Sequence, residues 1–219
     1  QDRTTVAVSI GRLCAAAGRS ALTDLLDLFN QPLQRRVTLT LGQADNLQMK
    51  RPEGEWQLRI SRADIAADGP FSAFPGVQRW FAVLEGAGVA LALPVPQTLR
   101  AGDAPLEFDG TAAPDCRLLD GPTQDLNLMA RQGRGYMQGV IAGQPWHSLL
   151  AMRGLYSTGA GTWSDGARQV QISAHTLLWD ESPNTAPWTF TPDTCVEPTH
   201  IAPAYWLGFI PHTPEGATP

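Results

Sequence analysis

Apolar and polar residues alternate with a period of two along most of the chain from Trp56 onward, and glycine and proline repeatedly interrupt the pattern. Trp56, Leu58 and Ile60 share one face of an extended segment, and Gln57, Arg59 and Ser61 share the other. Arg79–Leu84 and Val89–Leu93 read as two strands joined by the Glu85-Gly86-Ala87-Gly88 turn. Cys116–Leu119 lies between the turn signals Asp109-Gly110 and Asp120-Gly121. Asp125–Arg131 alternates cleanly, with Asp125, Asn127, Met129 and Arg131 on one face and Leu126, Leu128 and Ala130 on the other. Beyond Gly143, strands are expected at Ser148–Ser157, Val170–Ser173, Thr176–Trp179, Trp188–Thr191 and Tyr205–Ile210, divided by a Ser164-Asp165-Gly166 turn. Many short strands at this spacing predict a barrel or sandwich.

The amino end departs from this pattern. Leu22, Leu25, Leu26 and Phe29 have helical spacing behind Ser20 or Thr23 as caps, and a strand is expected around Val37–Leu41. Composition strengthens the β reading: 21 glycines and 18 prolines in 219 residues exceed the usual share of about 12%. A net charge of −5 with a single lysine, Lys50, lowers the prospect of a nucleic-acid surface, which needs a basic footprint. No apolar run reaches the roughly 20 residues of a membrane span, and Pro94 cuts the longest, Gly88–Val95. The three cysteines, Cys14, Cys116 and Cys195, are far apart and odd in number, which reads as reduced thiols in a cytoplasmic protein.

Most enzyme signatures are missing. His147, His175, His200 and His212 form neither HxH nor HExxH, and His175 with Glu181 is the nearest approach to a metal pair. There is no GxSxG elbow, Walker loop or GxGxxG; Gly133-Arg134-Gly135 and Gly159-Ala160-Gly161 read as hairpin turns. The informative residues are polar ones held on strands. Arg59 and Ser61 face either solvent or a pocket, where a guanidinium would be a fixed fork for a carboxylate. Asn127, between two leucines, needs a partner if it is buried. In Pro70-Phe71-Ser72-Ala73-Phe74-Pro75-Gly76, Ser72 serves either the turn or a ligand, and the two phenylalanines read as plugs of a barrel.

Several of these strings, in order, resemble the HutD/Ves family: Arg59-Ile60-Ser61, Asp68 through Gly76 with Arg79, Leu84-Glu85-Gly86-Ala87-Gly88, Phe108-Asp109-Gly110, Leu119-Asp120-Gly121-Pro122, and Asp125 through Met129 with Arg131. Leu58 stands where the family has a tryptophan, and Gln31-Pro32-Leu33-Gln34-Arg35-Arg36 lacks the family's glycines. The resemblance implies a mainly β, cupin-like double β-barrel (a bicupin of RmlC-like jelly rolls). The chain 1–219 is then one compact unit with sub-barrels at about 45–140 and 141–210, strands contributed by 1–44, and a frayed tail at 211–219. It further implies binding of a small molecule without metal or cofactor, in histidine utilisation or a stress response, and leaves a homodimer open.

Intermediates of histidine breakdown carry carboxylates, so the expected ligand is a small carboxylate. Arg59 is expected to pair with it, Ser61 and Asn127 to orient it, and Phe71 and Ser72 to line the site. Arg79 either joins them or ties the Phe71–Gly76 loop to the barrel. Two other readings stand beside this one. A metal-independent isomerase or hydrolase would use Asp125 or Glu85 as its acid–base group. A protein-interaction module would use some of the seven tryptophans as anchors.

Overall fold

The computed structural model describes residues 36–40, 46–50, 56–150, 152–181, 185–194 and 201–211, the backbone alone at 36–40, 46–50 and 201–203. The helix expected over Leu22–Phe29 and the Gln31–Arg35 stretch lie outside these residues. Among the described residues, seventeen strands follow one another with a single short 3₁₀ turn at Gly110–Ala112. In chain order they are β1 (Arg36–Thr40), β2 (Asn46–Lys50), β3 (Trp56–Ile65), β4 (Gly69–Pro70), β5 (Val77–Glu85), β6 (Val89–Leu91), β7 (Gln97–Leu99), β8 (Leu106–Asp109) and β9 (Asp115–Leu118). Then come β10 (Thr123–Arg131), β11 (Gly133–Ile141), β12 (Met152–Ser157), β13 (Gly161–Ser164), β14 (Gln169–Ile172), β15 (Thr176–Asp180), β16 (Thr189–Pro192) and β17 (Ile201–Pro211). No helix among the described residues is long and apolar enough to cross a membrane.

The strands form four sheets, two in each half of the molecule. In the first half an inner sheet, β2-β3-β10-β5-β8, faces an outer sheet, β4-β9-β6-β7. In the second, an inner sheet, β1-β15-β12-β17-β11, faces an outer sheet, β14-β13-β16. All the pairings are antiparallel, as short strands joined by tight turns allow.

Three apolar layers hold these sheets together. Leu58, Ile60, Ala82, Leu84, Leu126 and Leu128 present the even face of the first inner sheet to Met137, Tyr156, Leu177, Trp179, Leu207 and Phe209 of the second. Polar contacts cross the same seam: Tyr205 Oη donates to the Val83 carbonyl at 3.2 Å, and Trp80 Nε1 to that of Gly135 at 3.1 Å. Arg62, buried on this face, donates through Nη1 to His175 Nδ1 at 2.9 Å. The other two layers fill the halves themselves. One is built on Phe81, Val83, Val89, Leu91, Leu99 and Cys116, the other on tryptophans.

Three readings of glycine turn out differently, the first being Gly159-Ala160-Gly161, which makes no hairpin but carries β12 of the inner sheet into β13 of the outer one. Gly133-Arg134-Gly135 is not a hairpin turn but the start of β11, and the chain reverses at Gln132, whose φ is 53°. Gly135 is small because Leu128 occupies the place of its absent Cβ, 2.3 Å away. Glu85–Gly88 does turn the chain, but it carries β5 of the inner sheet into β6 of the outer one and makes no hairpin. Gly88 there has φ 103°, and a Cβ would lie 2.1 Å from the Leu99 carbonyl oxygen.

Candidate functional site

The odd positions of β3, β10 and β5 turn toward the outer sheet of the first half, and antiparallel register arranges them in three rows. Arg59, Met129 and Arg79 lie opposite one another, continuing to Phe108 on β8. Ser61, Asn127 and Phe81 form the next row, and Ala63, Asp125 and Val83 the third. Ser61, Arg79, Asp125 and Asn127 are all buried, and Arg59 is half-buried with its Nε shut off from solvent. The alternation in Asp125–Arg131 therefore marks a real face, and that face carries polar groups into an apolar layer.

One hydrogen-bonded relay links these groups. Arg79 Nε donates to Asn127 Oδ1 at 2.9 Å, a diagonal contact between neighbouring strands. Asn127 Nδ2 in turn donates to Asp125 Oδ1, two residues along the same face. The Arg79 guanidinium lies 4.4 Å from the Phe71 ring centroid and 5.3 Å from that of Phe108, so aromatic faces cover it. Its Nη1 is buried and has no hydrogen-bond partner among the described residues. Such a donor is costly unless something occupies it.

Burial sets the charge state of the site. Asp125, removed from water, has its carboxyl pushed up to about 7; the nearby Arg79 charge opposes the rise and Asp64 adds to it. Arg79 is lowered to about 10, first by burial, with Asp125 acting against and Arg59 with the change. Cys116 is raised to about 11 by burial and by the charges of Asp125 and Asp68, so it stays a thiol near neutral pH and is no nucleophile.

Asp125 is thus more acidic in the unfolded chain than in the folded one. Both states hold its proton below about pH 4, and only the folded state holds it between there and about 7. Its contribution makes stability fall as pH rises through that window. Asp125→Asn is expected to be more stable than the parent at pH 8 by about 1–2 kcal/mol, because the gain is offset where Arg79 loses a counter-charge. The difference should vanish toward about pH 4. Urea unfolding at several pH values measures it, and a variant less stable than the parent at pH 8 would contradict the assignment.

The residues expected from sequence do not all converge. Arg59, Ser61, Arg79 and Asn127 share one face, and Phe71 covers Arg79. Arg79 joins the polar relay through Asn127 and packs on Phe71 of the Phe71–Gly76 loop. Ser72 is exposed on that loop. Glu85 is exposed and lies 3.9 Å from His175 Nε2, a contact between the halves and away from the relay. Phe108 and Cys116 were not anticipated. Phe108 stands directly before the Asp109-Gly110 turn signal, and Cys116 is one of only four residues in its strand. Among the described residues, no three or more His, Cys, Asp or Glu side chains are grouped to hold a metal ion.

Comparison with known proteins finds relatives of this chain by sequence and by fold. An uncharacterized 21.2 kDa protein from the hutC 3′ region of Pseudomonas putida is 32% identical over 122 residues, covering 55% of this chain and 52% of that protein. Protein Ves of Citrobacter koseri is 31% identical over 115 residues, covering 51% and 60%. The match thus spans only about half to three-fifths of each relative. Among solved structures, a conserved protein of unknown function from Pseudomonas aeruginosa PAO1 superposes with a TM-score of 0.63 at 26% identity, over 80% of this chain and 94% of that one. HutD from Pseudomonas fluorescens SBW25, in a formate condition, shares the fold with a TM-score of 0.59 at 22% identity, over 81% and 94%. The HutD family model matches residues 38–193, from β1 through β16 and across both halves, and the chain belongs to that family.

Proposed function

We propose that the polar relay inside the first half binds a small carboxylate, and that the protein acts as a sensor or modulator of catabolism and not as a catalyst of turnover. The observation that carries this reading is the Arg79 guanidinium: buried, fixed through Nε by Asn127, and left with an unpartnered Nη1. A carboxylate approaching in the guanidinium plane would satisfy that donor and neutralise the excess positive charge of Arg59 and Arg79 over Asp125. Phe71 and Phe108 supply apolar walls for the rest of the molecule. In this reading each half is a cupin-like barrel, and the boundary lies at Gln132 and not near 140 as expected, because β11 pairs with β17. The name of the P. putida relative, from the hutC 3′ region, makes carboxylates of histidine breakdown the first compounds to try.

Thermal unfolding against urocanate, formyl- and formimino-glutamate, formate, acetate and divalent metals tests it. A ligand present at about 100 times its Kd adds roughly 2.7 kcal/mol, a shift of several degrees. A shift with carboxylates supports the reading; silence with all of them, or a shift with metal alone, refutes it. The raised Asp125 carboxyl also favours an acid–base enzyme, an isomerase or hydrolase. That second reading requires turnover of a bound carboxylate, followed by NMR and lost in Asp125→Ala.

A further inference from the structure

We infer that carboxylate binding at the site is coupled to proton uptake, reaching one proton per ligand where Asp125 is ionised beforehand, and that Asp125 is the group that receives it. The inference rests on the carboxylate reading above and adds how the site is regulated. Its basis is the geometry of the relay. Asp125 does not contact Arg79 directly but reaches it through Asn127, whose amide donates to one carboxylate and accepts from one guanidinium. A ligand carboxylate on Nη1 therefore meets the same buried arginine at a nitrogen other than the one Asn127 holds.

Two carboxylates and one well-buried guanidinium then lie close together, with the Phe71 and Phe108 rings against that guanidinium. The ligand draws on the positive charge that had been holding Asp125 ionised and adds a negative charge beside it. Both effects favour the neutral Asp125. The other groups acting here push the same way or are too far out to prevent it. Asp64 on β3 is a further negative charge. Cys116 on β9 stays a thiol, and Asp68, between β3 and β4, acts on that thiol as a negative charge. Arg59 on β3 is only half-buried and partly screened by water. Because burial already raises the Asp125 carboxyl to about 7 before binding, a further push acts on its proton occupancy within the physiological range. Binding then reads RCOO⁻ plus H⁺ from the medium, with Asp125 passing from carboxylate to carboxylic acid.

The carboxylic acid is also a donor where the carboxylate was not. Affinity should strengthen as pH falls and level off once Asp125 is protonated in the free protein. Such a protein would report carboxylate and acidity together.

Acetate and formate are the probes, since both stay ionised across the range of interest. The Asp125 side-chain carboxyl is followed by ¹³C NMR against pH, with and without acetate, and acetate binding is measured calorimetrically in two buffers of different ionisation enthalpy. The expected results are an Asp125 midpoint that moves upward with acetate and an affinity that weakens about tenfold between about pH 6.5 and 8.5. Asp125→Asn should abolish both the buffer dependence and the pH slope. Acetate binding with no proton uptake, or an Asp125 midpoint below about 5 in the free protein, overturns the inference and leaves the carboxylate reading standing. No binding of either probe at any pH overturns both.

Discussion

Trp188→Ala is expected to cost about 3–5 kcal/mol of stability, the range for truncating a fully buried aromatic in a packed core. Trp188 has no exposed surface and stands at the centre of an indole cluster. Its ring meets Trp163 edge-on at 5.0 Å and lies 6.2 Å from Trp146 and 6.3 Å from Trp206. The Arg153 guanidinium, itself buried, lies 4.4 Å from its ring centroid. Its Nε1 has no hydrogen-bond partner among the described residues, so the loss is one of packing and of cover for Arg153. The backbone bridge between Trp188 and Trp146 survives the substitution because it runs through main-chain atoms. Urea unfolding should show a lower midpoint with an unchanged slope, and the thermal midpoint should fall by about 10 °C or more. A loss under about 1 kcal/mol would mean that the cluster is not a core. Trp188→Phe should recover part of the loss.

That cluster explains why the two halves, alike in layering, differ in what they can do. In the second half, Trp146 stacks on Trp206 at 4.9 Å and 2° and, with Trp163 and Trp188, fills the space between the sheets. In the first half the corresponding space is shared by an apolar cluster and the Arg79–Asn127–Asp125 relay. Replacing indoles by hydrogen-bonded polar groups lowers the free energy gained from burial. The firmly packed second half, sealed to the first through Leu207, Phe209 and Trp179, can stabilise a first half that carries such groups. This separation of roles also accounts for most of the tryptophans, which sequence alone left divided between interface anchors and core.

How far the sequence could be read depends on what each signal reports. Period two reports which residues share a face, and it did so correctly for Asp125, Asn127 and Met129, and for Arg59 and Ser61. It cannot report what covers that face. Whether Arg59 faces water or an interior depends on β4, β9, β6 and β7, which are two to four residues long and too short to show a period. Arg62 carried a signal that went unused: it falls in register with Leu58 and Ile60, and a charge on an apolar face implies a partner, here His175 across the seam. Glycine was ambiguous for a physical reason, since Gly135 answers a close approach by Leu128 and Gly88 a positive φ. Asp125 was legible as a candidate acid, but its acidity depends on burial and on Arg79, which is 46 residues away in sequence and adjacent only once the sheet forms.

Arg79→Met should remove carboxylate binding while keeping the fold. A charge-assisted hydrogen bond from a buried guanidinium contributes about 1.5–3 kcal/mol, so its loss weakens affinity by about tenfold to 100-fold. Methionine keeps much of the apolar stem that packs on Phe71 and Phe108. It also leaves Asp125 without its main counter-charge, which raises the carboxyl further and keeps it neutral at pH 7, so no unpaired buried charge remains to unfold the protein. Arg79→Lys is the sharper variant. It keeps a positive charge but gives up the planar fork that donates to Asn127 with one nitrogen and to a ligand with another. If orientation matters as well as charge, the lysine variant should bind acetate at least about tenfold more weakly than the parent. Arg59→Ala should weaken binding less than Arg79→Met, because Arg59 is only half-buried and its charge is better screened. Calorimetry with acetate, alongside circular dichroism to verify the fold, measures all three. Full affinity in Arg79→Met would move the binding site away from the relay, and an effect of Arg59→Ala larger than that of Arg79→Met would make Arg59 the principal fork.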